Sequence, residues 1–214
     1  MPNDISKRAR EFCLLAPILP VLVVRDAAHA RPLGEALVAG GLRALEVTLR
    51  TPAALEVIGK MAAVSGGIVG AGTLITPQDV FAAKDAGAVF GVSPGATDEL
   101  LAACRQADLP LLPGAATATE AMRLLALGYD TLKFFPAEAS GGAPALKALA
   151  APLPQIGFCP TGGVTAENAE TYLGLPNVIC VGGSWVAPQS LIRAGKWDEI
   201  TAMARRASSS RPLT

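Results

Sequence analysis

One lysine of the chain lies inside an apolar segment, whereas the other five lie on terminal or helical segments where an ammonium group meets water. This residue is Lys133, and strand alternation would place it on the opposite face from its neighbours Leu132 and Phe134. If those two side chains pack beneath helices, Lys133 points into the interior, where burial disfavours the charged form of an amine. A neutral amine can attack a carbonyl group, so Lys133 is a candidate nucleophile for Schiff-base chemistry. The alternative is a structural ion pair that is buried in the core.

Glu46 is the acidic residue that lies in the middle of an apolar segment. In a strand, its neighbours Leu45 and Val47 would face the helices. Glu46 and Arg50 would then share the other face, toward the axis or the mouth of a barrel. A carboxylate there could act as a general base, and a guanidinium could hold a substrate carboxylate through two hydrogen bonds. The alternative is a structural pair between Glu46 and Lys133 with a solvated arginine at the rim, and the two segments alone do not decide between these interpretations.

Two glycine-rich segments follow the last two predicted strands, namely Thr161-Gly162-Gly163 and Gly182-Gly183-Ser184. In barrel enzymes the loops after strands seven and eight often bind phosphate, because exposed backbone N–H groups meet the anion there. Glycine permits the close backbone approach that such binding needs. Either segment alone is typical of an ordinary turn, and the two together at this position favour a phosphate site.

Short apolar runs alternate with longer helical stretches, and these must position the candidate residues. Strands are predicted at 17–24, 42–49, 68–71, 88–92, 109–112, 129–135, 155–159 and 177–181. Helices are predicted near 27–39, 52–64, 77–86, 97–107, 117–127, 142–150 and 165–173, with an extra helix within residues 1–14 and a further helical stretch after 188. Residues 207–214 are expected to form a frayed tail.

Local signals support several helix ends. Thr51-Pro52 and Thr76-Pro77 are typical of an N-cap followed by proline in the first turn. Thr117 with Glu120 three residues later predicts a capping box. Gly87 and Gly128 stand where helices should end.

Eight strands that alternate with helices predict parallel βα units, because parallel neighbours need crossover connections. Eight such units close into a barrel. The prediction is therefore α/β, a single (β/α)8 TIM barrel with an extra N-terminal helix, and one domain over residues 1–214. An open doubly wound sheet ranks lower, because no G-x-G-x-x-G segment follows the first strand.

Composition narrows the class of protein. The 214 residues are 51% hydrophobic and 17% charged, with 18 basic and 18 acidic side chains and no net charge. This balance favours neither nucleic acid nor an anionic membrane surface. The apolar runs are too short to span a membrane, and the polar N-terminus lacks the apolar core of a secretory signal. A cytoplasmic location is therefore expected.

Cysteine and histidine usage limits the metal sites that the chain could form. The four cysteines are scattered and are expected to be reduced, buried thiols. A single histidine, His29, excludes a zinc site built from several histidines, and we expect it on the surface. A magnesium site made of carboxylates is not excluded by these counts.

Six segments resemble, in the same order along the chain, the signature segments of the KDPG (2-keto-3-deoxy-6-phosphogluconate) aldolase family. They are EVTLRTP at 46–52, GAGT at 70–73, SPG at 93–95, LKFFPAE at 132–138, PTGGV at 160–164 and VGGSW at 181–185. The resemblance extends from about residue 10 to about residue 200. Together the segments are highly specific, and singly only those that contain Glu46 and Lys133 are persuasive.

The resemblance implies a role for each matching position. Lys133 would form the Schiff base with pyruvate, and Glu46 would move protons. The remaining implied contacts are Arg50 and Thr73 on the pyruvate carboxylate, Pro94 and Phe135 lining its pocket, and Gly162, Gly163, Gly182, Gly183 and Ser184 on the phosphate. Thr161 matches a position that influences which C4 epimer the enzyme accepts.

The implied activity is that of a class I aldolase, a carbon–carbon lyase. It would cleave KDPG to pyruvate and glyceraldehyde 3-phosphate, and 4-hydroxy-2-oxoglutarate to pyruvate and glyoxylate. The resemblance implies no metal and no cofactor, a homotrimer, and small-molecule partners only. Two rival interpretations remain: a barrel isomerase or epimerase that acts on a phosphosugar, and a binding barrel without chemistry.

Overall fold

The computed structural model describes residues 4–210. The parts of the predicted N-terminal helix and C-terminal tail that fall on residues 1–3 and 211–214 lie outside the described residues. The strands are β1 Ile18–Leu22, β2 Ala44–Thr48, β3 Ile68–Gly72, β4 Phe90–Val92, β5 Leu111–Leu112, β6 Gly114–Ala115, β7 Thr131–Phe134, β8 Gly157–Pro160 and β9 Val181–Gly183. The helices are α1 Asp4–Cys13, α2 Ala30–Ala39, α3 Ala54–Ala62, α4 Pro77–Asp85, α5 Asp98–Gln106, α6 Ala118–Ala126, α7 Gly142–Ala150, α8 Ala169–Leu173, α9 Gln189–Arg193 and α10 Trp197–Ser208.

The fold is α/β with a curled parallel sheet. Six strands pair in the order β5-β4-β3-β2-β1-β9, and three more pair in the order β6-β7-β8. Every strand pair is parallel, which agrees with the predicted βα units. Because the strands run the same way, their carboxyl ends lie at one edge, and the loops beyond them can share a site.

Two hydrophobic layers hold the strands in place. Leu45, Val47, Leu132 and Phe134 are buried in the core between strands and helices, so the predicted outer faces of β2 and β7 are confirmed. A second, smaller cluster contains Leu19, Ala44, Phe90, Val92 and Leu112 from the opposite strand faces, together with Cys13, Cys159 and Cys180. The ring of Phe12 in α1 stacks on Phe90 with 5.0 Å between centroids, so α1 packs against this inner cluster.

All four cysteines are buried and unpaired, as the sequence predicted. Hydrogen bonds with Cys13 and Cys159, together with burial, raise the pKa of the Cys180 thiol. Burial raises the pKa of Cys104 to about 12. Since the thiolate is the reactive form, these two groups are kept in the unreactive state.

The last strand is displaced from its predicted position. It spans Val181–Gly183 rather than 177–181, so Gly182 and Gly183 belong to a strand and not to the loop after it. Glycine is rare in strands, but here neighbouring side chains occupy the space beside it. A Cβ at Gly182 would lie 2.2 Å from Thr161 Oγ1, and one at Gly183 would lie 1.7 Å from Trp185 Cζ3.

The fifth predicted strand, 109–112, also differs. It is shortened to β5, and a second short strand, β6, follows after Pro113, whose missing N–H interrupts the ladder. The carbonyl of Pro113 still accepts a hydrogen bond from Lys133 N at 2.9 Å. Pro113 therefore remains in contact with the neighbouring strand.

Most helix boundaries agree with the sequence signals. Thr76 and Thr117 form capping boxes with Asp79 and Glu120. Gly87 and Gly128 follow α4 and α6 with φ of 102° and 88°.

The boundary predicted at Thr51 was wrong, because α3 begins at Ala54. The hydroxyl of Thr51 donates instead to the carbonyl of Val24 at 2.7 Å. The helix predicted at 165–173 is confined to Ala169–Leu173.

His29 ends a short 3₁₀ turn, Ala27–His29, and is half-buried rather than on the surface. Its ring lies 5.7 Å from that of Trp197 in α10. Within residues 4–210, none of the helices is both long enough and apolar enough to cross a bilayer.

Candidate active site

The two predicted catalytic side chains meet in the interior. Lys133 on β7 is 3% exposed and Glu46 on β2 is 1% exposed. Lys133 Nζ donates to Glu46 Oε1 at 3.3 Å, although the residues are 87 positions apart in the chain. Removing two charges from water is costly unless they are paired, so each side chain stabilises the other. The predicted inward orientation of both side chains is confirmed, and the ion pair that the sequence offered as the structural alternative is present.

The second carboxylate oxygen of Glu46 takes no part in this ion pair. Glu46 Oε2 is buried and has no hydrogen-bond partner among the described residues. An unpaired buried oxygen is expensive, typically about 1–3 kcal/mol. Such a cost persists mainly where function needs the group. The free lone pairs of Oε2 leave Glu46 able to accept a proton from a bound molecule.

One glycine clears the space that Glu46 occupies, and another permits close backbone packing beside Lys133. A Cβ at Gly72 on β3 would lie 2.2 Å from Glu46 Oε1. Gly114 on β6 stands in register with Lys133, and a Cβ there would lie 2.2 Å from the carbonyl oxygen of Pro94. The sequence alone indicates no role for Gly72 or Gly114. The only sequence signal for Gly72 is its place in the segment 70–73.

Arg50 lies just beyond β2 and contacts Thr73 beyond β3. Its Nε donates to Thr73 Oγ1 at 3.0 Å, and no ion pair with a described acidic side chain neutralises its charge. Thr73 has a φ of 62°, a conformation that is uncommon for a β-branched residue and is often found at functional sites. The strained backbone therefore brings the hydroxyl to an unneutralised guanidinium.

A cavity of about 160 Å³ joins Arg50 to the two glycine-rich segments. It is lined by Val21, Val23, Arg50, Phe135, Thr161, Gly162, Gly163, Val164, Gly182, Gly183 and Ser184. Lys133 and Glu46 are too deeply buried to line it, but Lys133 Nζ lies 5.3 Å from the centroid of the Phe135 ring. Phe135 therefore connects the buried pair with the cavity.

Two predicted residues flank this cavity without lining it. Thr73 is linked to it through Arg50. Pro94 is half-buried, and its carbonyl packs against Gly114 beside Lys133. Thr73 thus lies next to Arg50, and Pro94 lies next to the strand position that pairs with Lys133.

Backbone donors gather at the other end of the cavity. Gly162 and Gly163 have φ of 98° and 80°, which glycine adopts without strain. Within residues 4–210, the N–H groups of Gly163 and Ser184 donate to no backbone acceptor, whereas the N–H of Gly162 faces the carbonyl of Gly182 across the bridge between Thr161 and Gly182. The side chain of Ser184 is exposed. The N–H groups of Gly163 and Ser184 are free to bind an anion.

Thr161 stands between the two halves of the site. It forms a bridge with Gly182, is buried, and its Oγ1 donates to the carbonyl of Cys159 at 3.4 Å. The described residues contain no cluster of three His, Cys, Asp or Glu side chains that could hold a metal ion. The arrangement thus offers an amine, a carboxylate, a guanidinium and backbone donors to an anionic carbonyl compound.

Comparisons with known proteins agree with this geometry. The profile of the family described as "Aldolase: KDPG and KHG aldolase" matches residues 9–203. A Pseudoalteromonas atlantica protein named 2-dehydro-3-deoxy-phosphogluconate aldolase is 51% identical over 192 residues, which cover 89% of this chain and 89% of that protein.

Two crystal structures are also similar. The Zymomonas mobilis 2-keto-3-deoxy-6-phosphogluconate aldolase, solved with 3-phosphoglycerate, has a TM-score of 0.90 at 49% identity and covers 98% of this chain and 97% of its own. The Legionella pneumophila KDPG aldolase, with pyruvate captured at low pH as a covalent carbinolamine intermediate, has a TM-score of 0.91 at 46% identity and covers 94% and 98%. The chain therefore belongs to the KDPG and KHG aldolase family.

Proposed function

We propose that the chain is a class I aldolase that cleaves KDPG to pyruvate and glyceraldehyde 3-phosphate. The observation that carries the proposal is the buried Lys133–Glu46 pair, at 3.3 Å, beside a cavity with a free guanidinium and backbone donors. Family membership supports it, as does the covalent pyruvate intermediate in the Legionella pneumophila relative. By the same chemistry the enzyme also cleaves 4-hydroxy-2-oxoglutarate to pyruvate and glyoxylate.

The first half of the reaction builds an electron sink. Lys133 transfers its proton to Glu46, and the neutral Nζ attacks the C2 ketone to form a carbinolamine. Glu46 returns a proton to the carbinolamine hydroxyl, which leaves as water, and a protonated imine forms. Both transfers need a carboxylate within hydrogen-bond reach of Nζ, and Glu46 Oε1 lies at 3.3 Å.

The second half breaks the carbon–carbon bond. Glu46 removes the proton of the C4 hydroxyl, the C3–C4 electron pair moves toward the imine, and glyceraldehyde 3-phosphate departs. The enamine that remains on Lys133 is protonated at C3. Water then hydrolyses the imine, releasing pyruvate and restoring the amine.

The rest of the site orients the substrate. Arg50 and Thr73 hold its carboxylate, Phe135 lines the pyruvate end, and Pro94 flanks it. The phosphate is bound by Gly162, Gly163, Gly182, Gly183 and Ser184, with the N–H groups of Gly163 and Ser184, which have no backbone acceptor, as direct donors. Thr161, between the two ends, contacts the substrate near C4. Binding energy from the phosphate is thereby available to lower the barrier at a distant bond.

The fold that supports this site is, we infer, a closed (β/α)8 barrel with α1 as an extra N-terminal helix. Only Pro113 separates β5 from β6, so they act as one interrupted strand. The bridges Phe158–Val178 and Thr161–Gly182 join the β8 side to the β9 side. Eight strands then form a ring, and residues 1–214 form a single domain.

We also propose that the enzyme is a cytoplasmic homotrimer that requires neither metal nor cofactor and binds neither nucleic acid nor membrane. Large apolar side chains exposed on and beside α3 and α4, namely Leu55, Ile75, Phe81 and Val89, support association between copies. Sedimentation velocity tests the oligomer. A species three times the monomer mass is expected, and a monomer at micromolar concentration would contradict it.

Product analysis tests the activity directly. Incubation with KDPG should release pyruvate and glyceraldehyde 3-phosphate in equal amounts. Both products are measured with coupled dehydrogenases. Chelator should leave the rate unchanged. An isomerised or epimerised phosphosugar acid, with no pyruvate released, would show that the chain is an isomerase instead.

A further inference from the structure

Three consecutive carbonyl groups in the turn after β8 are held from one side. Ala137 N donates to the carbonyl of Thr161 at 2.8 Å, and Glu138 N donates to that of Gly162 at 3.0 Å. The side-chain amide of Asn168 donates to the carbonyl of Gly163 at 3.1 Å. All three donors come from the segments that lie behind the turn.

Peptide planarity converts these bonds into an orientation for the opposite groups. In a trans peptide the carbonyl points away from the N–H of the next residue. Three carbonyls fixed toward one side therefore turn the N–H groups of residues 162–164 toward the other side, where that of Gly162 faces Gly182 in β9 and those of residues 163 and 164 are left for the cavity. Residues 162–164 line the cavity. The hydrogen bonds behind the turn thus aim the N–H groups of residues 163 and 164 into the site.

The side chain of Glu138 supports the turn from the same side. A Cβ at Gly163 would lie 2.5 Å from Glu138 Cγ, so the Glu138 stem packs directly on the glycine backbone. The carboxylate accepts hydrogen bonds from the hydroxyl of Tyr172 and from Asn168 Nδ2 at 3.4 Å. Its charge is therefore satisfied behind the turn, where it does not oppose an anion in the cavity.

The two partners of this carboxylate are themselves held in place. Asn168 Oδ1 accepts from Thr165 N at 2.8 Å, which directs its amide N–H groups toward Glu138 and Gly163. Tyr172 is 1% exposed. Burial, together with the hydrogen bond to Glu138 and the charge of that carboxylate, raises the pKa of its hydroxyl. Tyr172 consequently stays protonated and remains a donor at every pH of interest.

We propose that Glu138, Asn168 and Tyr172 are positioning residues that hold the phosphate-binding turn and so favour phosphorylated over unphosphorylated 2-keto acids. The proposal rests on the proposed function, because it assigns a use to the turn after β8. None of the three side chains touches the reacting atoms. They act through the direction of the N–H groups, and their loss should weaken phosphate binding while leaving Schiff-base chemistry intact.

Isosteric and truncating substitutions test this assignment. Asn168→Asp keeps the acceptor for Thr165 N but loses the donor to Gly163 and adds a charge beside Glu138. Glu138→Ala removes both the packing and the acceptor. Each should lower kcat/KM for KDPG about tenfold, mostly through KM, with kcat/KM for 4-hydroxy-2-oxoglutarate within about twofold of wild type. Glu138→Gln keeps the aliphatic part of the side chain and an acceptor oxygen, so it should retain most of the wild-type kcat/KM for KDPG.

Glu170→Gln is the matched control, since Glu170 is an exposed carboxylate on the same helix as Tyr172, and its kinetics should match wild type. An equal loss on both substrates would reveal a merely structural role. Unchanged kinetics on KDPG would show no role at all. Either result overturns the proposal.

A binding measurement separates this proposal from the proposed function. The dissociation constant of 3-phosphoglycerate, measured by calorimetry, should rise about tenfold in Asn168→Asp, while borohydride trapping of pyruvate stays at the wild-type level. If wild-type protein neither traps pyruvate nor cleaves either substrate, the aldolase proposal is wrong. Even then, an unchanged 3-phosphoglycerate affinity in Asn168→Asp would overturn the positioning role, and a weakened one would support it.

Discussion

The two halves of the site are built in different ways. Lys133 and Glu46 form a side-chain pair sealed in the interior, where low dielectric strengthens every charge interaction. The glycine turn after β8 and the end of β9 instead offer backbone N–H groups at the open mouth of the cavity. Chemistry that needs an unsolvated amine is thus buried, whereas recognition of a strongly hydrated phosphate stays near solvent.

Because the interior pair and the cavity mouth are built differently, substitutions in them should have different effects on activity. A change at the interior pair should abolish turnover on every substrate, because all of them pass through the same imine. A change at the mouth should discriminate between substrates that carry phosphate and substrates that do not. Four substitutions test this contrast.

Lys133→Ala should have the largest effect. Without the amine no imine can form, and kcat/KM should fall by about 10⁴-fold or more on both KDPG and 4-hydroxy-2-oxoglutarate. Steady-state assays on protein whose circular dichroism matches wild type provide the measurement. Lys147→Ala, an exposed lysine in α7, is the control and should keep full activity.

Glu46→Gln should separate imine formation from turnover. The amide is nearly isosteric but cannot accept a proton, so kcat should fall about 10²–10⁴-fold, while pyruvate should still be trapped on Lys133 but more slowly, because imine formation also passes protons through Glu46. Rapid-quench trapping and steady-state rates on the same preparation test both parts. A kcat near the wild-type value would remove Glu46 as the proton carrier.

Gly72→Ala should reproduce a weaker form of the same defect. Its new Cβ would lie 2.2 Å from Glu46 Oε1, so the carboxylate must move, and kcat should fall about tenfold to a hundredfold. Gly59→Ala is the control, because a Cβ there has only one ordinary contact, at 3.5 Å. This substitution should stabilise α3 slightly. Equal rates in both variants would show that Glu46 tolerates displacement.

Ser184→Ala should have the smallest effect and a selective one. Losing one exposed hydroxyl at the mouth should raise KM for KDPG by about threefold to tenfold and leave KM for 4-hydroxy-2-oxoglutarate almost unchanged. The ratio of the two kcat/KM values is the quantity to measure. The same loss on both substrates would argue against phosphate binding at this residue.

The interior half was predictable from sequence because charged residues in apolar strands are anomalous. Lys133 and Glu46 stand out in this way, and period-two alternation correctly placed Leu132, Phe134, Leu45 and Val47 on the outer faces. Helix caps at Thr76 and Thr117 were predictable for a similar reason, since a local hydrogen-bonding pattern determines them.

The mouth was harder to predict, because its geometry depends on distant parts of the chain. Gly182 and Gly183 lie in a strand that pairs with β1, and only glycine fits there because Thr161 and Trp185 occupy the space beside them. Thr51 resembles an N-cap but bonds Val24 across the fold. Asn168 and Tyr172 donate hydrogen bonds to Glu138, although they lie 30 and 34 positions from it in the chain. No local propensity encodes such contacts.

Borohydride trapping with pyruvate, followed by peptide mass mapping, tests the covalent role of Lys133 most directly. One reduced pyruvyl adduct per chain is expected, on the peptide that contains Lys133, and none in Lys133→Ala. An adduct on another lysine, or none in protein shown to be folded, would contradict Schiff-base catalysis at Lys133.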